Sequence, residues 1–341
     1  MRAISLGNTA FEGLNNAYLL EGEVTTLLDT GVSTDETREQ LRAGLADHGL
    51  GFEDIEQVLL THFHADHAGL AGEIQEAGGA VVRVHEADRP LVEQDPDAEE
   101  ALAARQQSLL DEWGMPADAQ AELLDFLGNQ HDISGRPATV ETVEPGDIVL
   151  AGDRELEVVY LPGHTDGLCG YAFESDYRSF AGASGDELFS GDALLPYYTP
   201  NVGGADVRVE RPLERYLGTL STLVERDYAR AWPGHRGPIV DVAGRAADIV
   251  VHHRERTDRV LDVLDAHGPA DAWTVSAHLF GDLRYIHILH GPGEAYAHLG
   301  HLEAAGVVDR NGREYEVVDR DADLDALFPA IPDGLARPGP I

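Results

Sequence analysis

Apolar positions in the first third of the chain fall in short runs separated by turn residues. "AISL", "NAYLLEG" and "VTTLLDTG" (Val24 to Gly31) read as strands. "STDETREQLRAGLADHGLG" changes to helical spacing, with Thr34 or Asp35 placed to cap it and Gly49 to stop it. "IEQVLLT" is a buried strand, "AGLAGEIQEAGG" a helix ending at Gly78 and Gly79, and "AVVRVH" the next strand. Strands alternating with helices in this way predict a layered α/β fold.

From about Glu86 to Gln130 the spacing is helical throughout, in two segments broken at Gly114-Met115-Pro116. Strands return with "ATVETV", "ELEVVYLP", "CGYAFES", "DELFSGD" and "ARAWPGH", the last preceded by the helix "LERYLGTLSTLVER". Beyond Gly244 the pattern is a long helix, the short "TVSAHLFG", a third helix "GEAYAHLGHLEAAG", and two alternating runs around Asn311-Gly312. That order predicts a winged helix over 244–320, after an α/β domain over 1–243 with a helical insertion at about 86–130. Residues 321–341, ending in the Pro- and Gly-rich "PDGLARPGPI", are expected to form a loose tail.

Composition changes the picture in one respect. Asp and Glu number 62 against 24 basic residues, all of them Arg, for a net charge of −38. The acids are spread along the chain and interleaved with apolar periodicity, which argues against a disordered acidic tail. A halophilic origin is expected instead, because molar salt cuts the Debye length to about 3 Å and suppresses self-repulsion. The single cysteine, Cys169, rules out an intrachain disulfide and a thiolate metal cage. No apolar run is long enough to cross a bilayer, and the first residues lack the apolar core of a signal peptide, so a cytoplasmic protein is expected.

"LLTHFHADHAGL" holds His62, His64, Asp66 and His67 within six positions, just after a hydrophobic strand. Imidazole nitrogens and carboxylate oxygens suit divalent, zinc-like ions. Three more strand ends lead into a ligand-type residue beside glycine: "VVYLPGH" with His164, "ELFSGD" with Asp192 and "ARAWPGH" with His235. This series, in this order, resembles the metallo-β-lactamase superfamily over roughly Met1 to Val240. The resemblance implies an αββα sandwich with metals at one sheet edge. By position, His62, His64 and His164 would hold one ion, Asp66, His67 and His235 a second, and Asp192 would bridge them. It further implies hydrolysis by a metal-bridging hydroxide, with Asp66 orienting the nucleophile and Asp29 bracing the ligand loops. Two divalent ions are expected, Zn2+ foremost, although the same ligands accept Fe or Mn. Thr61 and Thr165 beside the ligands either orient them or cap turns.

Substrate is harder to read. "LLPYYTPNVGG" resembles a loop of the glyoxalase II-like small-molecule hydrolases, where Tyr197 and Tyr198 would line the pocket or pack beneath it. Apolar positions of the insertion, including Leu109, Leu110, Trp113, Leu123, Leu124, Phe126 and Leu127, either form a lid over an acyl pocket or pack against the sheet or a second subunit of a homodimer. The C-terminal part is similar to lactamase-β-like proteins, a group that includes endoribonucleases acting on single-stranded RNA. The third C-terminal helix carries Glu294 and Glu303 but no Arg, which speaks against a nucleic-acid partner. A salt-adapted composition tempers that point. The expectation is a hydroxyacyl-thioester-hydrolase-like enzyme acting on a small acyl ester or thioester. The alternatives are an RNA endonuclease, a mono-iron sulfur dioxygenase, and a winged-helix regulator with an inactive metal domain.

Overall fold

The computed structural model describes residues 1–7, 13–128, 133–175, 185–332 and 334–335. The chain opens with strands β1 (Arg2–Leu6), β2 (Asn15–Leu20) and β3 (Thr26–Leu28), then helix α1 (Asp35–Ala46), strand β4 (Gln57–Leu59), the single turn α2 (Ala65–Ala68), α3 (Ala71–Gly78) and β5 (Val81–His85). The insertion supplies α4 (Arg89–Val92), α5 (Pro96–Glu112) and α6 (Ala117–Gly128). Strands β6 (Val140–Val143), β7 (Ile148–Ala151), β8 (Arg154–Tyr160), β9 (Cys169–Phe173) and β10 (Glu187–Gly191) follow. Next come α7 (Pro212–Arg226), β11 (Arg230–Pro233), α8 (Val242–His267), α9 (Ala272–Phe280), α10 (His287–Ala304) and the hairpin β12 (Val308–Asn311) and β13 (Glu314–Val317).

Two sheets form the centre, one ordered β1-β2-β3-β4-β5-β6 and the other β11-β10-β9-β8-β7. Period-two alternation gives each sheet two apolar faces, and both are used. Tyr18, Leu28 and Leu59 of the first sheet pack against Leu156, Tyr171 and Phe189 of the second. The outer face of the first sheet is covered by Leu41 and Leu45 of α1 and Ile74 of α3. Tyr216, Leu217 and Leu220 of α7 and Ile249 of α8 cover the second. These layers are the αββα sandwich expected from the sequence. Among the described residues no helix is long and apolar enough to cross a membrane.

The insertion does not stand apart. Leu109, Leu110, Trp113 and Leu123 share a core with Val260 and Leu264 of α8, Val275 of α9, Leu299 of α10 and Tyr315 of the hairpin. The expected helix–helix–helix–hairpin order is present, but α10 starts at His287, six residues ahead of the expected Gly293, and carries Pro292 inside it. Gly and Pro disfavour a helix interior, yet Gly291, Pro292 and Gly293 are all buried within this one, and packing overrides local propensity. The sequence reading also missed β7, which pairs with β8 across Gly152-Asp153. Asn129 and Gln130, at the expected end of the insertion, lie outside the described residues, as do 333 and 336–341 of the expected tail. The described part of that tail is not loose: Leu324 joins the core shared with α8 to α10, and Phe328 and Ile331 pack against the core beneath α7 and α8.

Candidate metal centre

All seven expected ligands come from segments just past a strand end. His62 and His64 follow β4, Asp66 and His67 lie in α2, His164 follows β8, Asp192 follows β10 and His235 follows β11. All are buried except His64, which is half-buried. The ligand-type atoms of His62, His64 and His164 lie within 4.8 Å of one another, and so do those of Asp66, His67 and His235. Asp192 lies between the two triads, with Oδ2 3.8 Å from His164 Nε2, 3.5 Å from His67 Nε2 and 3.2 Å from His235 Nε2.

Hydrogen bonds fix which nitrogen of each imidazole faces inward. Thr61 Oγ1 gives its hydrogen to Asp29 Oδ2 at 2.9 Å, so it accepts from His62 Nδ1 at 3.0 Å and leaves His62 Nε2 facing His64 Nδ1 at 2.9 Å. His64 donates from Nε2 to the Ala205 carbonyl (3.1 Å), His164 from Nδ1 to the Asn201 carbonyl (2.9 Å) and His235 from Nδ1 to the Gly13 carbonyl (2.8 Å). His67 donates from Nδ1 to Asp29 Oδ2 at 2.9 Å. Five ring nitrogens therefore converge on one space. The atoms His67 Nε2, His235 Nε2 and Asp192 Oδ1 are buried there without a hydrogen-bond partner. Buried polar atoms left unpaired are costly, and a bound cation would satisfy all three at once. The residues fit divalent metal ions.

Electrostatics agree. Burial and the crowd of neighbouring imidazoles hold His62, His64 and His164 below their ordinary value, His64 at about 4. Burial also opposes charge on His67 and His235, but Asp192 and Asp66 outweigh it, and His235 rises to about 9. Asp192 is held well below the carboxylate range by His235 and His67 despite its burial. Protons on His67 and His235 thus balance the two carboxylates until a cation displaces them.

Asp29 stands behind the ligands and is bonded to two of their segments. It accepts from Thr61 N at 2.8 Å as well as from the Thr61 hydroxyl and His67. Gly234 of "PGH" has a steric reason: a side-chain carbon there would collide with Asp192 Oδ1 and the His67 ring. Thr165 donates to Asp88 at 3.5 Å, away from the triads. Tyr197 is 70% exposed and is not among the residues lining the cavity at the triads. Tyr198 lines a neighbouring groove instead.

Several residues of the site escaped the sequence reading. The loop from Asn201 to Ala205 orients His164 and His64 through its carbonyls, and no side-chain motif announces a carbonyl. That loop is held in turn by Asn201 Nδ2, which donates to the His290 carbonyl (3.0 Å) and Glu294 Oε2 (3.2 Å) of α10. Gly204 packs directly on Gly293 of α10, with no room for a side chain at either position. Arg208 anchors the other end, on Asp88 and Asp206, both at 2.7 Å. His290 lines the cavity because α10 begins a turn and a half early. A second buried group, His253, Glu294 and His298, joins α8 to α10. There the Arg256 guanidinium is already bonded to Glu294, so that carboxylate has its cation.

The cavity at the triads has a volume of about 190 Å3. Besides the ligands it is lined by the apolar Phe63, Leu102, Leu127, Val207, Ile286 and Leu289 and by Gln106, Asn201 and His290, and among the described residues by no Arg. Phe63, Leu102 and Leu127 also line a second cavity of about 440 Å3, together with Leu91, Val92 and Leu124. Of the insertion residues expected in a lid, Leu124 and Leu127 therefore face cavities, whereas Leu109, Leu110, Trp113 and Leu123 are core.

The chain is 30% identical over 292 residues to a probable metallo-hydrolase, YqjP, of Bacillus subtilis, covering 84% of this chain and 87% of that one. A metallo-beta-lactamase family protein of Thermus thermophilus has the same architecture, with a TM-score of 0.78, 31% identity, and 93% and 98% of the two chains covered. An atrochrysone carboxyl ACP thioesterase of Paecilomyces divaricatus is 21% identical over 259 residues, 76% of this chain and 62% of its own. The profile of the metallo-beta-lactamase superfamily matches residues 10–235, which span every residue of both triads and Asp192. The chain belongs to the metallo-beta-lactamase superfamily.

Proposed function

We propose that this protein hydrolyses small esters or thioesters with two divalent metal ions, zinc foremost, held by His62, His64 and His164 on one side and Asp66, His67 and His235 on the other, with Asp192 shared. Bound there, the ions would supply a water acidified from ~15.7 toward about 7 and a Lewis acid for the substrate carbonyl. The chain does the rest. Asp29, Thr61, Asn201 and Ala205 hold the imidazoles in one tautomer each, so no reorganisation is needed when substrate arrives. Asp66, which accepts from Asn15 at 3.2 Å and is held ionised by His67 and His235 against its burial, orients the attacking water. The apolar walls exclude competing water.

One observation carries the acyl reading: the cavity at the metal centre shares the apolar walls Phe63, Leu102 and Leu127 with a second, mainly apolar cavity that α5 and α6 also line. A polyanion such as RNA needs clustered cations there, and the lining of the metal cavity holds none. The fungal relative named as an ACP thioesterase supports thioesters over oxygen esters. We read residues 244–320 as a winged-helix-like unit with a structural role, through which α10 reaches the cavity. The test is a panel of acyl thioesters, lactones and single-stranded RNA, run in molar KCl on protein of measured metal content. Thioester hydrolysis that is lost in Asp66→Ala is expected. RNA cleavage lost in Asp66→Ala, with no thioester turned over, would sink the reading.

A further inference from the structure

On the other side of the metal centre lies a groove of about 470 Å3. It shares Asn201, Ile286 and His290 with the metal cavity, and its remaining lining includes Tyr198, Arg236 and His287. Arg236 directly follows His235 and adopts a left-handed backbone, φ 65°. For a residue other than glycine that conformation is strained, and it persists only when neighbours enforce it. Here they do: Asn16 Nδ2 donates to the Arg236 carbonyl at 2.7 Å, and Arg236 N donates to the Leu14 carbonyl at 3.2 Å. The result places the guanidinium 5.5 Å from the centre of the Tyr198 ring. The Tyr198 carbonyl is itself fixed by Arg245 at 2.8 Å.

The charge environment is unusual for this chain. Acids outnumber arginines 62 to 24, and yet among the described residues no carboxylate lies within 4.0 Å of the exposed Arg236. Arg256 lines the same groove but is committed to Glu294. Among the described residues Arg236 is thus the cation of the groove without a carboxylate partner; His287 and His290 also line it, and so does Glu294, which Arg256 holds. A planar guanidinium stacked on an aromatic ring recognises phosphate or carboxylate in a fixed orientation. The groove is far larger than a carboxylate alone, and a nucleic-acid strand would need a row of free cations where the described residues supply one.

Resting on the thioester reading above, we propose that Arg236 selects substrates whose leaving thiol carries a phosphate. The acyl group then lies toward Leu102 and Leu127, the scissile bond at the triads, and the phosphate arm in the groove of Arg236 and Tyr198. Water adds to the carbonyl carbon, the carbon–sulfur bond breaks, and the products are a carboxylate, a free thiol and a proton. A phosphorylated pantetheine arm has this chemistry whether it ends on a nucleotide or on a carrier protein.

The experiment compares three thioesters of one acyl group on the metal-loaded protein. They are a coenzyme A thioester, the same acyl group on a carrier protein's phosphopantetheine, and an uncharged N-acetylcysteamine thioester. Wild type is expected to prefer the phosphate-bearing forms in kcat/KM. Arg236→Gln, at wild-type metal content, is expected to reduce that preference about tenfold through KM, with Arg236→Lys retaining part of it. Millimolar inorganic phosphate should compete in wild type and much less in the Gln variant. Whichever phosphate-bearing form is faster identifies the source of the arm. An equal effect of Arg236→Gln on charged and uncharged thioesters, or none on either, overturns the Arg236 assignment while leaving thioester hydrolysis intact. Failure to hydrolyse any of the three overturns both readings, and RNA cleavage weakened by Arg236→Gln replaces them.

Discussion

At the scale of single residues, the metal centre depends as much on what stands behind the ligands as on the ligands themselves. Asp29 shows this most clearly: one carboxylate oxygen accepts from both the Thr61 hydroxyl and His67 Nδ1, and the other from the Thr61 amide. Asn in its place would keep the size and tolerate the left-handed backbone that Asp29 adopts, φ 56°. It would, however, turn an amide NH2 toward two donors. Asp29→Asn is therefore expected to weaken metal affinity about 10–100-fold, the range for loss of an outer hydrogen-bond partner. Competition against a chelator measures it, and an Asn variant with wild-type affinity would show that Asp29 only fills space. The ligands themselves were legible in the sequence because each is a chemically distinctive side chain at a strand end. Asn201, Ala205 and Gly13 were not, because they act through backbone carbonyls whose direction only the fold determines. Tyr197 looked promising by position, but its side chain is turned out to solvent.

At the scale of elements, the strands and helices of the sandwich follow from periodicity, and the departures occur where packing outweighs local preference. The clearest is α10, whose first six residues include Gly291 and Pro292 and precede the expected helix start at Gly293. Those residues bring Leu289 and His290 to the metal cavity and Gly293 against Gly204. Gly293→Ala weighs the two effects against each other. Ala in a helix interior is favoured over Gly by about 1 kcal/mol, whereas forcing atoms into a packed contact costs about 1–3 kcal/mol. Since the collision is with the loop that orients His64 and His164, Gly293→Ala is expected to lower the thermal midpoint and to reduce metal at the His62–His64–His164 triad. Metal content and melting, measured together, check it. A variant that gains stability and keeps its metal would show that α10 and the loop are not coupled. The role of the insertion was ambiguous in the sequence because its apolar residues point two ways. Trp113 and Leu123 complete a core with α8–α10, and Leu127 lines the cavity, a division that helical period alone does not reveal.

At the scale of the whole molecule, a net charge of −38 opposes compactness in dilute buffer. Ion pairs offset part of it: Arg320 alone reaches Asp258, Asp262 and Asp265, while Arg38 joins Asp35 and Glu73. We read the remaining excess as adaptation to a salty solvent. The thermal midpoint is accordingly expected to rise steadily from about 0.1 M to about 2 M KCl as screening shortens the reach of each charge, and a midpoint that falls over that range would contradict this. The central claim lies deeper, in the two buried triads and the aspartate between them. The most direct measurement is the metal content of protein purified in high salt, together with that of His235→Ala and His164→Ala. Two divalent ions per chain in wild type, mainly zinc, and close to one in each variant is the predicted result. A single iron per chain, unchanged by His235→Ala, would contradict the two-ion account.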